Sequence, residues 1–121
     1  MTTESPMDDA RFDAEIVASA PAEITLRMRG DIDLAADEAL AAAYARAAGD
    51  DAARVVLDFG RVGYINSTGI ALIVRLLAEA RRDHREVVAV GLSDHYREIF
   101  RITRLSDYLT IADASPAAGP A

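Results

Sequence analysis

Alternating apolar and polar residues mark the first part of this chain. Residues 12–17 alternate in part and residues 24–29 alternate cleanly, which is the period of a half-buried strand. Only a short connection containing Pro21 separates the two segments, so we expect them to pair antiparallel. The second strand ends in Gly-Asp-Ile-Asp at residues 30–33, where a solvated acidic turn accounts for both aspartates.

Helical periodicity follows in three later segments. Residues 35–48 are rich in alanine and lack internal glycine and proline, so they predict a helix. Its predicted inner face consists of four residues at helical spacing: Leu40, Ala43, Tyr44 and Ala47. A second helix is predicted to begin at residues 66–68, and four apolar residues share one of its faces: Ile70, Ile73, Val74 and Leu77. Residues 93–103 predict a third helix, with Ser93 or Asp94 as its N-cap.

Short apolar runs predict the remaining strands. Residues 55–58, Val-Val-Leu-Asp, form the first run, and Gly60 and Gly63 behind it predict a loop. Residues 87–90 are apolar almost without interruption, which suits a strand of a parallel sheet that is covered on both faces. Residues 108–111 predict the last strand. Because strands alternate with helices after the opening hairpin, the pattern predicts an α/β fold with a mixed, mostly parallel sheet and helices packed on it.

Length and composition limit the classes of protein to which this chain can belong. The 121 residues suffice for one domain, which we assign to residues 11–112, between a flexible leader at 1–10 and a disordered tail at 113–121. The formal net charge of −7 argues against nucleic acid and against an anionic membrane as partners. Cysteine is absent, and neither a signal peptide nor a membrane span is visible, so we expect a cytoplasmic protein.

The residues at the start of the second helix carry the candidate chemistry. Asn66, Ser67 and Thr68 are all good N-cap residues, so simple capping explains them. A phosphorylation site is the alternative, because the N–H groups at a helix N-terminus stabilise an added phosphate. Gly69 keeps the first turn free of side-chain bulk. Both interpretations remain open on these residues alone.

Two motifs give the chain a family resemblance. Residues 57–70, which include Asn66-Ser67-Thr68-Gly69, resemble the signature of STAS domains, and most closely that of bacterial anti-sigma factor antagonists. The resemblance implies the STAS fold and makes Ser67 the phosphoacceptor and Thr68 the second hydroxyl residue of the motif. Asn66 stands where the family usually has Asp. The Gly-Asp-Ile-Asp segment matches a second family motif, whose final residue, here Asp33, is implied to lie beside the phosphoacceptor.

The resemblance also implies a function. It predicts a phosphorylation-controlled switch in partner-switching regulation of a sigma factor. The implied partners are an anti-sigma factor with a GHKL-type serine kinase fold, and a phosphatase that resets the switch. ATP and Mg²⁺ belong to the kinase, so no cofactor is expected in this chain. The implied partner-binding residues are those of the two motifs: Asp33, Asn66, Ser67, Thr68 and Gly69. The alternative is a STAS scaffold or accessory module that is never phosphorylated.

Catalysis by the chain itself has little support in the sequence. A triad can be drawn from Ser67 with His84 or His95, but no G-x-S-x-G elbow surrounds Ser67. A P-loop and a paired-histidine metal motif are also missing. We therefore predict that the chain is not an enzyme.

At Gly69, we expect valine to harm partner binding more than the fold, because valine adopts helical angles at a cost below ~1 kcal/mol.

Overall fold

The computed structural model describes residues 11–112; the predicted leader and tail lie outside that range. The elements in chain order are β1 (Asp13–Ala20), β2 (Glu23–Ile32), a first 3-10 turn (Leu34–Ala36), α1 (Asp37–Gly49), β3 (Arg54–Ile65), α2 (Ser67–Arg82), β4 (Glu86–Val90), α3 (Asp94–Ile102), a second 3-10 turn (Leu105–Asp107) and β5 (Thr110–Ala112). The five strands form one sheet in sequence order, with β1 and β2 antiparallel and all other neighbours parallel. The predicted mixed sheet with its N-terminal antiparallel pair is confirmed.

All three helices contribute to one apolar core. Because each parallel strand is added on the same side of the one before it, right-handed crossovers bring the helices onto a single face of the sheet. That face supplies alternate strand residues such as Leu26, Leu57 and Ala89 to the core. The opposite face carries a smaller buried cluster: Val56, Val88 and Val90. Residues of β4 are therefore buried on both faces, as its continuous apolar run predicts.

The helix faces were predicted with different success. In α1 the four predicted inner residues are all buried, and the helix begins at Asp37, after the first 3-10 turn. In α2 the predicted face is partly wrong. Val74 is 46% exposed, whereas Leu72 and Leu76 are buried beside Ile73 and Leu77. The helix is rotated about its axis relative to the predicted face, because buried Gly69 brings its first turn close to the sheet.

The loop predicted at Gly60 and Gly63 does not exist, because β3 continues through both residues to Ile65. Between the pairs Arg27–Asp58 and Arg29–Arg61, β3 contains one residue more than β2, and β2 and β3 differ by one again just before Tyr64. Glycine is common where a strand carries such a bulge. The two glycines therefore mark irregularities inside a long strand. This strand continues past Asp58, the last residue of β3 that pairs with β4.

The C-terminal elements lie close to their predicted positions. Ser93 caps α3, since its hydroxyl accepts a hydrogen bond of 3.2 Å from the backbone N–H of Tyr96. The last strand begins later than predicted, at Thr110. Tyr108 is the residue that closes the second 3-10 turn, and its side chain is exposed.

Candidate functional site

The two sequence motifs meet at one edge of the sheet. Strands β2 and β3 run parallel, and Ile32 pairs with Ile65 at their carboxyl ends. The next residues, Asp33 and Asn66, therefore leave the sheet side by side. A hydrogen bond of 3.3 Å from the backbone N–H of Asn66 to the carbonyl of Ile32 ties the two chain segments together.

Asn66 is the N-cap of α2. Its backbone is extended, and its side-chain oxygen accepts a hydrogen bond of 2.8 Å from the backbone N–H of Gly69. Its carbonyl accepts the first intrahelical bond, from the N–H of Ile70 at 2.9 Å. The capping interpretation is therefore confirmed for Asn66. Capping does not require the side chains of Ser67 and Thr68.

Ser67 and Thr68 form the exposed start of the helix. Neither hydroxyl makes a hydrogen bond to another residue in the described range 11–112. Their backbone N–H groups are likewise without a partner in that range, as is usual at the first positions of a helix. The first turn contains no acidic side chain. The site therefore combines free hydroxyls, free N–H donors and the positive end of the helix dipole, an arrangement that stabilises an added anion.

Gly69 has a packing role that the sequence did not reveal. A Cβ atom at this position would lie 1.9 Å from the carbonyl oxygen of Ile32 and 3.0 Å from the side chain of Ile65. Contacts that short with backbone atoms cannot be relieved without moving the helix. The expectation that valine harms the fold little is therefore wrong. Gly69 itself is buried, and its role in partner binding stays a prediction.

Asp33 caps the first 3-10 turn. Its carboxylate accepts a hydrogen bond of 3.0 Å from the backbone N–H of Ala35. The turn packs against α2 and leaves the side chain of Leu34 68% exposed. An ion pair between Asp37 and Arg75 joins the start of α1 to the middle of α2. Asp33 is thus held in a defined orientation at the same edge of the sheet as Ser67.

A buried tyrosine completes the site. The hydroxyl of Tyr96, from the first turn of α3, accepts a hydrogen bond of 2.8 Å from the backbone N–H of Ile65. The sequence predicted a helix over residues 93–103 that includes Tyr96, but it assigned no role to the tyrosine hydroxyl. The available signal was the residue type, since a buried tyrosine normally has a hydrogen-bond partner whereas phenylalanine needs none.

The histidines do not form a triad with Ser67. His84 lies beyond the far end of α2, a helix of 16 residues and therefore about 24 Å long. His95 is exposed, and its ring packs edge-on against Tyr96 with the centroids 4.8 Å apart.

Within residues 11–112 no three His, Cys, Asp or Glu side chains gather into a metal site. None of the described helices is long and apolar enough to cross a membrane.

Comparisons with known proteins agree with these motifs. Residues 16–111 match the protein family described as "Mlab, STAS domain". The Bordetella bronchiseptica protein described as "Putative anti-sigma factor antagonist BtrV" is 32% identical over 94 residues, which are 78% of this chain and 81% of BtrV.

Solved structures agree as well. The anti-sigma factor antagonist SpoIIAA in its unphosphorylated form has a TM-score of 0.65 at 21% identity, over 86% of this chain and 89% of SpoIIAA. The phosphorylated form of SpoIIAA from Bacillus has a TM-score of 0.64 at 19% identity, over 83% and 91% of the two chains. These similarities confirm the predicted STAS fold. The chain belongs to the STAS domain family and is related to anti-sigma factor antagonists.

Proposed function

We propose that this chain is a cytoplasmic anti-sigma factor antagonist that switches between a binding and a released state by phosphorylation of Ser67. The observation that carries the proposal is the free, exposed hydroxyl of Ser67 on the first residue of α2. Asn66 already caps the helix, so Ser67 is not needed for that purpose. The relation to anti-sigma factor antagonists supports the assignment.

The surface around Ser67 suits a protein partner. We define the switch surface as Leu34, Ser67, Thr68 and Val74. Val74 follows Ser67 by seven residues, which is about two turns, and so lies on the same side of the helix. Leu34 and Val74 are large apolar side chains that are 68% and 46% exposed. Apolar side chains beside polar ones are typical of the centre of a protein interface.

The proposed partner is an anti-sigma factor with a GHKL-type serine kinase fold. The Ser67 oxygen attacks the γ-phosphorus of ATP, the bond from that phosphorus to the β,γ-bridging oxygen breaks, and ADP leaves. The hydroxyl proton passes to a base on the kinase. A phosphatase later uses water to release inorganic phosphate and restore the hydroxyl. ATP and Mg²⁺ belong to the kinase, and this chain supplies a positioned acceptor without catalysis of its own.

Phosphorylation would release the partner by electrostatic repulsion. The phosphate adds about −1.5 to −2 charges at neutral pH. At ~6 Å from one carboxylate on the partner and an effective dielectric of ~40, the repulsion is on the order of 2–3 kcal/mol. That corresponds to roughly 30- to 150-fold weaker binding. Within the chain, the N-terminus of α2 offsets part of the repulsion from Asp33, so the fold tolerates the modification.

The test uses phosphoserine encoded at position 67. The partner is the ATP-binding kinase that the unmodified chain retains from an extract of its own cells. Calorimetry should show weaker binding for the phosphorylated chain, and the difference should shrink as salt rises toward molar, since salt screens exposed charges. Phosphoserine at position 106, in the second 3-10 turn beside the far half of α2, adds the same charge away from the switch surface and should leave the affinity unchanged. A difference that ignores salt contradicts the electrostatic mechanism.

A second candidate is a STAS scaffold or accessory module that is never phosphorylated. Asn66 favours it, because a neutral residue stands where the resemblance expects an aspartate beside the acceptor. The two candidates differ in one observable, which is the presence of phosphate on Ser67 in the cell.

A further inference from the structure

We propose that Tyr96 is a positioning residue that orients Ser67 for phosphoryl transfer, an inference that rests on the proposed role of Ser67. The two backbone N–H groups before Ser67 are held from opposite sides. The N–H of Ile65 donates to the Tyr96 hydroxyl at 2.8 Å, and the N–H of Asn66 donates to the Ile32 carbonyl at 3.3 Å. Tyr96 is the one side chain in this clamp that α3 supplies.

The hydroxyl of Tyr96 supplies a hydrogen-bond acceptor that a neighbouring strand would otherwise provide. Strand β4 pairs with β3 only as far as Asp58, so the last residues of β3 have no strand neighbour on that side. The N–H of Ile65 is buried there and needs an acceptor, because an unpaired buried N–H is costly. Loss of the hydroxyl would leave this N–H unsatisfied two residues before Ser67.

Tyr96 is itself fixed against β3. The Ser93 hydroxyl accepts the backbone N–H of Tyr96, which anchors the first turn of α3. The preceding turn passes through Gly91 at φ 77°, where a Cβ atom would lie 2.7 Å from the backbone nitrogen of Gly60. The start of α3 therefore rests directly on the backbone of β3, and a shift of Tyr96 is passed on to Ile65.

One side of this segment borders an open groove. A cavity of about 180 Å³ lies beside it and is lined by residues of β3 and α3 that include Val62, Gly63, Ile65 and Tyr96. Neighbouring side chains therefore do not close off this side of β3, although the Ile65 side chain itself is buried in the core. We infer that the hydroxyl, rather than the ring, defines the position of the backbone from which Ser67 projects.

The test compares two tyrosine hydroxyls. Tyr96→Phe removes the buried bond to Ile65, and Tyr44→Phe removes a part-buried hydroxyl bond of 2.8 Å, to Asp83 at the far end of α2. In Tyr96→Phe, amide exchange at Ile65 should speed up at least about tenfold relative to Tyr44→Phe. With the kinase retained by the unmodified chain, kcat should fall about tenfold with KM unchanged, because Tyr96 is buried and acts on orientation rather than on binding.

Each outcome decides the proposal. Equal kcat values for the two variants overturn it, as does a lower kcat without faster exchange at Ile65. Should Tyr96→Phe not fold, Ser93→Ala is the second variant, since it removes an exposed cap and should lower kcat in the same direction by a few-fold. If the wild-type chain takes no phosphate at Ser67, the proposed function fails. The amide exchange of Ile65 and Ser67 then still shows whether Tyr96 holds this segment.

Discussion

The two ends of α2 are held by opposite kinds of chemistry. At the N-terminal end the contacts are neutral: the amide of Asn66 caps the helix, and the hydroxyl of Tyr96 holds the strand that precedes it. At the C-terminal end the contacts involve charges. Asp83 accepts a hydrogen bond of 2.8 Å from the Tyr44 hydroxyl, and the guanidinium of Arg85 donates to the carbonyls of Ala48 and Ala52.

This difference explains where a new charge can be tolerated. A phosphate at the C-terminal end would meet the negative end of the helix dipole and the carboxylate of Asp83. At the N-terminal end it meets free N–H groups and no acidic side chain within the first turn, and these N–H groups offset part of the repulsion from Asp33. The neutral end is therefore suited to a reversible modification, whereas the charged end is suited to a fixed structural junction.

The largest expected effect is steric and falls at the neutral end. Gly69→Ala should reduce the free energy of unfolding by more than about 3 kcal/mol, because its Cβ would contact the Ile32 carbonyl at 1.9 Å. Gly49→Ala, the matched control in the last turn of α1, has no atom within 4 Å of the added Cβ and should be neutral or stabilising. Urea unfolding measures both. A well-folded Gly69→Ala protein would contradict the close packing of α2 on β2.

Arg85→Ala tests the charged end. Its side chain is only 13% exposed, and its loss leaves two backbone carbonyls without this donor, so we expect a loss of about 2–3 kcal/mol. Arg82→Ala is the control, since that side chain is 70% exposed and its contact with Glu79 is 3.9 Å long, for an expected change below about 0.5 kcal/mol. Both variants should accept phosphate at the wild-type rate. Slower phosphorylation of Arg85→Ala would show that the two ends are coupled.

The contacts at the charged end should also make the free energy of unfolding depend on pH in the alkaline range. Burial, followed by the hydrogen bond to Asp83, raises the pKa of Tyr44 from 10.0 to about 12. The folded protein therefore keeps a proton that the unfolded chain loses, so this stabilisation is complete below pH 10 and declines as the pH rises toward 12. The loss should be roughly 1–2 kcal/mol. Urea unfolding between pH 9 and 11.5 should show this decline in the wild type, and Tyr44→Phe should lack that component.

The smallest expected effect concerns the cap. Asn66→Asp should change stability by less than about 0.5 kcal/mol, because both residues cap helices equally well. The added carboxylate next to Ser67 should change the phosphorylation rate. Circular dichroism melting and a kinase assay measure the two quantities. Equal rates for the two proteins would show that residue 66 affects only the cap.

The periodicity of apolar residues predicted the architecture well, because the buried face of each helix or strand determines where its apolar residues recur. The inner face of α1 and the doubly covered strand β4 were correctly predicted, since their apolar residues recur at a period set by the element itself. Gly60 and Gly63 were misread, because glycine marks both loops and bulges and only the register with β2 separates the two. Gly69 was misjudged for a related reason: its contact is with Ile32, far away in sequence.

The candidate site was predicted in the same uneven way. Ser67, Asn66 and Asp33 were named as candidates from their motifs, and the structure brings the two motifs together at the carboxyl ends of β2 and β3. Tyr96 was missed because it approaches the site from another helix, 31 residues away along the chain. Leu34 was missed because its exposure follows from the way the first 3-10 turn packs on α2.

Mass spectrometry of the intact protein shows whether Ser67 is a phosphoacceptor. The chain is purified from its own cells as wild type, Ser67→Ala and Thr68→Ala, and the intact masses are compared. Both alanine variants keep the Asn66 cap, so both should fold. We expect the added mass of one phosphoryl group on a fraction of the wild-type and Thr68→Ala proteins and none on Ser67→Ala. Phosphate that persists on Ser67→Ala, or an unmodified wild-type protein under every growth condition, would contradict it.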